Sequence, residues 1–290
     1  MLFIIKESKM IKNYENSLRE IIKEYNIKPK KKLGQNFLHD KNIISSIINN
    51  VNVKDEDIIE IGPGPGILTE NILKNKARSL LVIEKDDSFE VNLKKIKNKY
   101  KDNFIYLIND VIDFDFNKLK KKEYKIVSNL PYNISVPFIL KMIKIRRVIS
   151  WKDMVLMVQK EVAERITAEI GTKNYGRLSI MVNLNNDVEK LLNVKPSSFI
   201  PKPKVDSTVI KISPKNKNLN INEEIFEKIV KICFSQRRKK IKNNLDQLNT
   251  NTSLLLELSN IDPDIRAENI NIEGFLRISK NYEKLTKENL

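Results

Sequence analysis

The sequence holds one cysteine and one histidine in 290 residues. With Cys233 alone, no disulfide can close within the chain and no cysteine-rich zinc site can form, which fits a reducing compartment. With His39 alone, a histidine-based metal site is disfavoured, and no metal is expected. Apolar runs are short. None approaches the ~18 residues of a membrane span, and Leu2–Ile5 lacks the longer apolar core of a signal peptide. Acids at Glu7, Glu15, Glu20 and Glu24 argue against an acid-poor transit peptide. A soluble cytoplasmic protein, monomeric and independent of membrane, is expected. Glycine is also scarce: there are seven, of which three fall at positions 62, 64 and 66.

Lysine, by contrast, is abundant. The chain carries 53 Lys+Arg against 37 Asp+Glu, a net charge of +16, which favours a polyanionic partner such as RNA or the ribosome. Between Lys190 and Leu245 fourteen Lys+Arg face four acids, so that segment alone supplies +10 of the total. Within it Arg237-Arg238-Lys239-Lys240 follows the apolar helical face of residues 225–234, and its charges are expected to line one end of a helix turned toward RNA.

Short β-rich runs occur at Asp57–Ile61, Ser79–Glu84, Phe104–Asn109, Tyr124–Asn129, Met154–Gln159, Val188–Val194 and Val205–Ile212, with helix-like stretches between the earlier ones. The alternation predicts a doubly wound α/β fold with a mostly parallel sheet. Only Lys195–Lys204 separates the last two runs, too little for a helical crossover, so a hairpin and one antiparallel strand are expected. Met10, Ile11, Tyr14, Leu18, Ile21, Ile22 and Tyr25 give residues 8–27 a helical spacing. The organisation expected is a helical extension over 1–30, the α/β domain over 31–213 and a small helical domain over 214–290. Trp151 and Cys233 are read as packing residues.

The first β-run leads into Glu60-Ile61-Gly62-Pro63-Gly64-Pro65-Gly66. Closely spaced glycines after a buried strand let the backbone turn sharply and approach a ligand. The spacing is not that of a dinucleotide loop, and Pro63 and Pro65 remove N–H donors that a pyrophosphate would use, so a ligand without phosphate fits better. Glu84 ends the second run, where a carboxylate can accept both hydroxyls of an adenosine ribose, and Asp110 follows the third, within reach of an adenine amino group. Gln35 and Asn36 are placed to close over the ligand.

The fourth run ends in Asn129-Leu130-Pro131-Tyr132. Here the sequence resembles the N6-adenine and amino-group methyltransferases. An adenine amino nitrogen is a poor nucleophile because its lone pair is delocalised. Two acceptors, the Asn129 side-chain oxygen and the Leu130 carbonyl, can hold its N–H groups and favour a pyramidal nitrogen, with Tyr132 stacked on the base. Phe199, in the proline-flanked stretch Pro196–Pro203, is a candidate second stacking ring. Lys32–Leu38, Tyr175–Ser179, Pro203–Ser207 and Phe234–Lys240 narrow the resemblance to the ribosomal RNA adenine dimethyltransferases, over roughly residues 30–280, with the small-subunit N6,N6-dimethyltransferase branch the most similar. The resemblance implies a Rossmann-like class I methyltransferase fold and S-adenosylmethionine as cofactor. It places cofactor contacts at Asn36, Leu38, Gly62, Glu84, Asp110 and Asn129, to which the loop reading adds Gly64 and Gly66. The implied reaction is dimethylation of two adjacent adenines near the 3′ end of small-subunit RNA, in an immature 30S particle. Two other readings stand beside it: a large-subunit relative of the macrolide-resistance type, and a nucleic-acid-binding assembly or transcription factor without catalysis. Intact Asn129–Tyr132 and Glu84 weigh against the latter.

Overall fold

The computed structural model describes residues 18, 20–23, 27–119, 123–215, 219 and 221–288. The chain divides into two units, Met1–Ala163 with Glu189–Ser213, and Glu164–Val188 with Pro214–Leu290. Nine strands are described: β1 (Phe37–Leu38), β2 (Asp57–Ile61), β3 (Ser79–Glu84), β4 (Phe104–Ile108), β5 (Tyr124–Asn129), β6 (Trp151–Gln159), β7 (Asn186–Val194), β8 (Phe199–Ile200) and β9 (Ser207–Pro214). Seven form one sheet in the order β4-β3-β2-β5-β6-β9-β7. The pairs β2–β3, β3–β4, β2–β5 and β5–β6 are parallel, whereas β6–β9 is antiparallel, with Met154 opposite Ile212 and Gln159 opposite Ser207. The expected architecture is therefore present.

The first helix of this unit starts at a side-chain cap, whereas the helices that follow the strand ends do not. α1 (Lys41–Val51) begins at Asp40, whose carboxylate accepts from the Asn42 and Ile43 amides, and it buries Ile44, Ile47, Ile48 and Val51. α2 (Ile67–Lys74) follows Gly66, α3 (Glu90–Tyr100) follows β3, and α4 (Ser135–Lys144) follows β5. Each crossover returns the chain to the same sheet edge, so β2, β3, β4 and β5 end side by side.

Boundaries differ from the sequence expectation at a few points. β6 starts at Trp151 rather than Met154, because the buried indole extends the strand and donates to the Met142 carbonyl at 3.2 Å. β9 starts at Ser207 rather than Val205, whose side chain is exposed in the preceding turn. The two-residue pairing of β1 with β8 has no counterpart in the periodicity, since two residues carry none. Of the expected N-terminal helix, residues 18 and 20–23 are helical, Leu18 is buried, and Ile21 and Ile22 pack on the core. Met10, Ile11, Tyr14 and Tyr25 lie outside the described residues.

In the second unit, α5 (Lys160–Ile166) continues into it from β6, and α6 (Arg177–Asn183), α7 (Glu223–Cys233), α8 (Ile241–Leu245), α9 (Thr252–Leu258) and α10 (Ile272–Glu288) follow. Asn222 caps α7 through the Glu224 and Ile225 amides, and Phe226, Ile229, Val230 and Cys233 form its buried stripe. Residues 164–188 belong to this unit, not to the α/β unit in which the boundary at 213 would leave them. The reason is packing: Tyr175, Ile180 and Leu184 join Phe226, Ile229, Ile241, Leu255 and Phe275 in one apolar cluster, and the Tyr175 hydroxyl donates to the Ile270 carbonyl at 3.0 Å.

Strand β2 is buried along its whole length and takes a carboxyl group with it. Glu60 is 2% exposed, and the Thr69 hydroxyl donates to it at 2.7 Å. Burial pushes its carboxyl up to about 8. A carboxyl raised in the folded state stabilises the fold below its unfolded value of ~4.3, and that contribution is lost as pH rises toward the folded value. Glu60→Gln keeps the acceptor for Thr69 and removes the titration. Thermal melts should therefore show the parent losing stability relative to Glu60→Gln between about pH 5 and 8; parallel pH profiles would contradict the assignment.

Candidate active site

The ends of β2, β3, β4 and β5 border one cavity, and all of its lining residues lie within the first unit. The glycine loop supplies the floor. Gly62, Gly64 and Gly66 have φ of 63°, 53° and 82°, values that side-chain-bearing residues rarely adopt. A Cβ on Gly66 would lie 2.6 Å from the Ile96 side chain, and one on Gly64 would press the Phe37 ring at 3.2 Å. Gly66 directly precedes α2 and does not line the cavity, whereas Gly62 and Gly64 do.

Glu84 is buried at the end of β3. Its two oxygens accept from the Gly64 amide at 3.0 Å and the Asp86 amide at 2.7 Å. Burial raises its carboxyl above the ordinary range, and these amides oppose the rise. A carboxylate offers about four acceptor positions, so two remain for a pair of vicinal hydroxyls. Asp110 accepts from Lys85 at 2.5 Å and from the Ile112 amide at 2.9 Å. Burial works against its charge, but these partners hold it below the usual carboxylate range. The cavity wall thus carries Glu84, Asp110 and a Glu60 carboxyl that burial keeps protonated at neutral pH, against a single cation, Lys85, which is paired with Asp110. Such a wall suits a cationic nucleoside and disfavours a phosphate.

Asn129, the last residue of β5, and Leu130, Pro131 and Tyr132 just beyond it line the same cavity. The Asn129 amide group donates through Nδ2 to the Asn36 carbonyl at 2.8 Å, which leaves Oδ1 as an acceptor. Leu130 is buried, and its amide donates to the Met157 carbonyl at 3.2 Å. The Tyr132 hydroxyl pairs with Ser207 Oγ at 2.7 Å, and burial pushes that hydroxyl up. This bond fixes the ring and gives a role to Ser207, the last residue of the Pro203–Ser207 stretch.

Asn36 and Leu38 reach the cavity on the segment before α1, together with Gly34 and Gln35. Gly34, at φ 66°, lies against the 131–133 loop: a Cβ there would meet Asn133 Oδ1 at 3.1 Å and the Tyr132 amide at 3.4 Å. Phe199 does not join the cavity. Its pairing opposite Leu38 in β8 turns the ring into the apolar core, where it is 1% exposed. As a second stacking ring it is therefore not in place in this conformation. Among the basic residues of the second unit, Arg237 bonds Glu268 at 3.0 Å and the carbonyls of Thr172 and Tyr175 at 3.3 and 2.9 Å, and so braces its own unit. Lys240 pairs with Asp264 at 2.9 Å, while Arg238 and Lys239 are exposed.

Sequence reasoning missed Asp86 and the burial of Glu60. Asp86 lies two positions after Glu84, but its partners Lys30 and Gln35 are more than fifty residues away, and no local spacing reveals them. Among the described residues there is no group of three or more His, Cys, Asp or Glu that could hold a metal ion, and no helix is long and apolar enough to cross a membrane.

Comparison with known proteins places this geometry. The family model described as ribosomal RNA adenine dimethylase matches residues 26–284. A curated relative from Pelagibacter ubique, ribosomal RNA small subunit methyltransferase A, is 39% identical over 262 residues, covering 89% of this chain and 98% of its own. The protein of the same name from Francisella tularensis subsp. novicida is 40% identical over 261 residues, covering 88% and 98%. Among solved structures, a dimethyladenosine transferase from Plasmodium falciparum superposes with a TM-score of 0.76 at 30% identity, covering 86% of this chain and 98% of its own. The 23S rRNA methyltransferase ErmE shares the fold, with a TM-score of 0.65 at 21% identity over 86% of this chain and 100% of its own. A match of this extent means that the chain belongs to the ribosomal RNA adenine dimethylase family.

Proposed function

We propose that this protein transfers methyl groups from S-adenosylmethionine to N6 of two adjacent adenines near the 3′ end of small-subunit ribosomal RNA, giving N6,N6-dimethyladenine during ribosome assembly. The observation that carries the reading is the meeting of Asn129–Tyr132 with the glycine loop and Glu84 in one acidic, phosphate-averse cavity. The curated relatives named above bear the name of a small-subunit enzyme, which favours that substrate over large-subunit RNA.

The residues fit the cofactor. Glu84 retains two acceptor positions for the ribose hydroxyls, and Asp110 stands at the next strand end for the adenine amino group. When bound, the cofactor supplies an electrophilic methyl group with a neutral thioether as its leaving group. The chain's own work is to present the nucleophile. Asn129 Oδ1 and the Leu130 carbonyl accept the amino N–H groups, and Tyr132, fixed by Ser207, stacks on the extruded base. A side-chain base is not required for the attack, which agrees with the absence of histidine from the lining residues. The helical unit, Glu164–Val188 with Pro214–Leu290, supplies RNA or ribosome contacts through the exposed Arg238 and Lys239, and the reaction takes place in the cytoplasm on an immature 30S particle.

Radiolabelled methyl transfer to undermethylated 30S particles, with nucleoside analysis of the product, is the direct test. Dimethyladenine in small-subunit RNA is expected; cofactor binding without transfer would overturn the enzyme reading. Tyr132→Ala should lower kcat/KM for RNA by about 5–150-fold, the loss of one base–aromatic stack of ~1–3 kcal/mol, while Tyr132→Phe, which keeps the ring, stays within about 5-fold. For the basic run, the double change Arg238→Ala and Lys239→Ala should weaken RNA binding and flatten the slope of log affinity against log salt by roughly 1.5–2, as loss of two phosphate contacts requires. An unchanged slope would remove these two residues from the interface.

A further inference from the structure

The segment before α1 is tied down at both ends of the cavity. At one end the buried Asp86 carboxylate takes Lys30 Nζ on Oδ1 and Gln35 Nε2 on Oδ2, each at 2.6 Å. Gln35 closes the clamp, because its Oε1 accepts the Lys30 backbone amide at 2.8 Å. Burial works against the charge of Asp86, and the bonds from Lys30, Ser88 and Gln35 hold it ionised. The Asp86 backbone amide meanwhile donates to Glu84, so the anchor of this segment and the candidate ribose acceptor are joined by one hydrogen bond.

At the other end the next residue, Asn36, takes the Asn129 amide on its carbonyl. An Asn side chain presents an acceptor on one side and donors on the other, and the two orientations differ by a flip. A carbonyl can only accept. Facing one, Asn129 must put Nδ2 toward the segment and Oδ1 away from it. The flipped orientation would set Oδ1 against the Asn36 carbonyl and offer N–H groups to an amino group that has only N–H groups to give. Phe37, following Asn36, packs edge-on against Phe89 with ring centroids 5.7 Å apart, which seats the segment on the turn between β3 and α3 that carries Asp86.

We propose that Asp86 and Gln35 are positioning residues for methyl transfer: they hold residues 30–38 so that the Asn36 carbonyl captures Asn129 Nδ2 and leaves Oδ1 as the acceptor for the target amino group. The proposal rests on the role given to Asn129 above. It links the two halves of the cavity through covalently adjacent residues, with Gln35 fixed at the cofactor end and Asn36 fixing the amide at the target end.

The test uses the full chain. Gln35→Leu removes the two Gln35 bonds of the clamp, leaves the Lys30–Asp86 pair and places no charge beside Asp86. At saturating cofactor it should lower kcat on 30S particles on the order of 10–100-fold, the scale of a misplaced catalytic group, with the RNA KM within about 3-fold. A merely structural residue would not show selective coupling to Asn129. Asn129→Asp presents two equivalent oxygens and has no Nδ2 to capture, so in that background Gln35→Leu should cost less than about 3-fold. Independently of activity, NMR should show the Asn129 side-chain amide protons exchanging slowly in the parent and in Lys30→Arg, and faster in Gln35→Leu and Asp86→Asn. Equal exchange rates in all four proteins, or a Gln35→Leu defect of the same size in the Asn129→Asp background as in the parent, would overturn the proposal. If Asn129→Asp proves inactive, the exchange rates decide. A parent that transfers no methyl group would sink the functional reading instead, and the exchange measurement would still report on the clamp.

Discussion

A carboxylate withdrawn from water must find N–H donors, and Glu84 finds two in the backbone, one from Gly64 and one from Asp86. Much of the site's shape depends on this requirement. The Gly64 amide can point at Glu84 only because the glycine loop turns with positive φ, and the Asp86 amide fixes the bend just beyond β3. That bend carries the Asp86 side chain, and with it Lys30 and Gln35. One buried acid therefore connects the loop after β2, the end of β3 and the segment ahead of α1.

On the proposed function, the two tasks of the cavity fall to different strands. β2, β3 and β4 end in groups suited to a charged nucleoside, and β5 ends in acceptors and a ring suited to a neutral base. Parallel pairing places these ends on one edge, and the antiparallel β9 brings Ser207 to the Tyr132 hydroxyl. The aromatic ring is thus held by a strand far away in sequence, which frees the short loop after β5 from having to stiffen itself.

Much of this was legible in the sequence. The sheet strands were marked by runs such as Asp57–Ile61 and Ser79–Glu84, whose buried Ile, Leu and Val residues leave little ambiguity, and glycine clustering located the loop. Asn129–Tyr132 could be read because its chemistry is local: an acceptor, a carbonyl and a ring within four residues. What could not be read were relations set by tertiary contact. Asp86 is an ordinary exposed-looking acid until Lys30 and Gln35 arrive. Arg237 reads as one more cation in a basic run, and only the fold shows it bonded to Glu268 and two carbonyls. Phe199 sits in a stretch whose prolines suggest a presented loop, but pairing with Leu38 turns its ring inward. The Tyr175–Ser179 stretch, which contributed to the resemblance, proves to be packing: Tyr175 lies in the apolar cluster of the helical unit, and the Ser179 hydroxyl donates to the Arg165 carbonyl at 2.6 Å.

The division of the chain has a consequence for how the molecule can be taken apart. The helical unit is assembled from two stretches, Glu164–Val188 and Pro214–Leu290, with Glu189–Ser213 of the α/β unit between them. A stop codon after Ser213 would not yield a clean catalytic module. It would leave Tyr175, Ile180 and Leu184 without Phe226, Ile229 and Phe275, an orphaned greasy surface of the kind that drives aggregation. Modularity here is spatial and not linear, so recombination between relatives, or the grafting of a foreign RNA-binding appendage, has to exchange both stretches together.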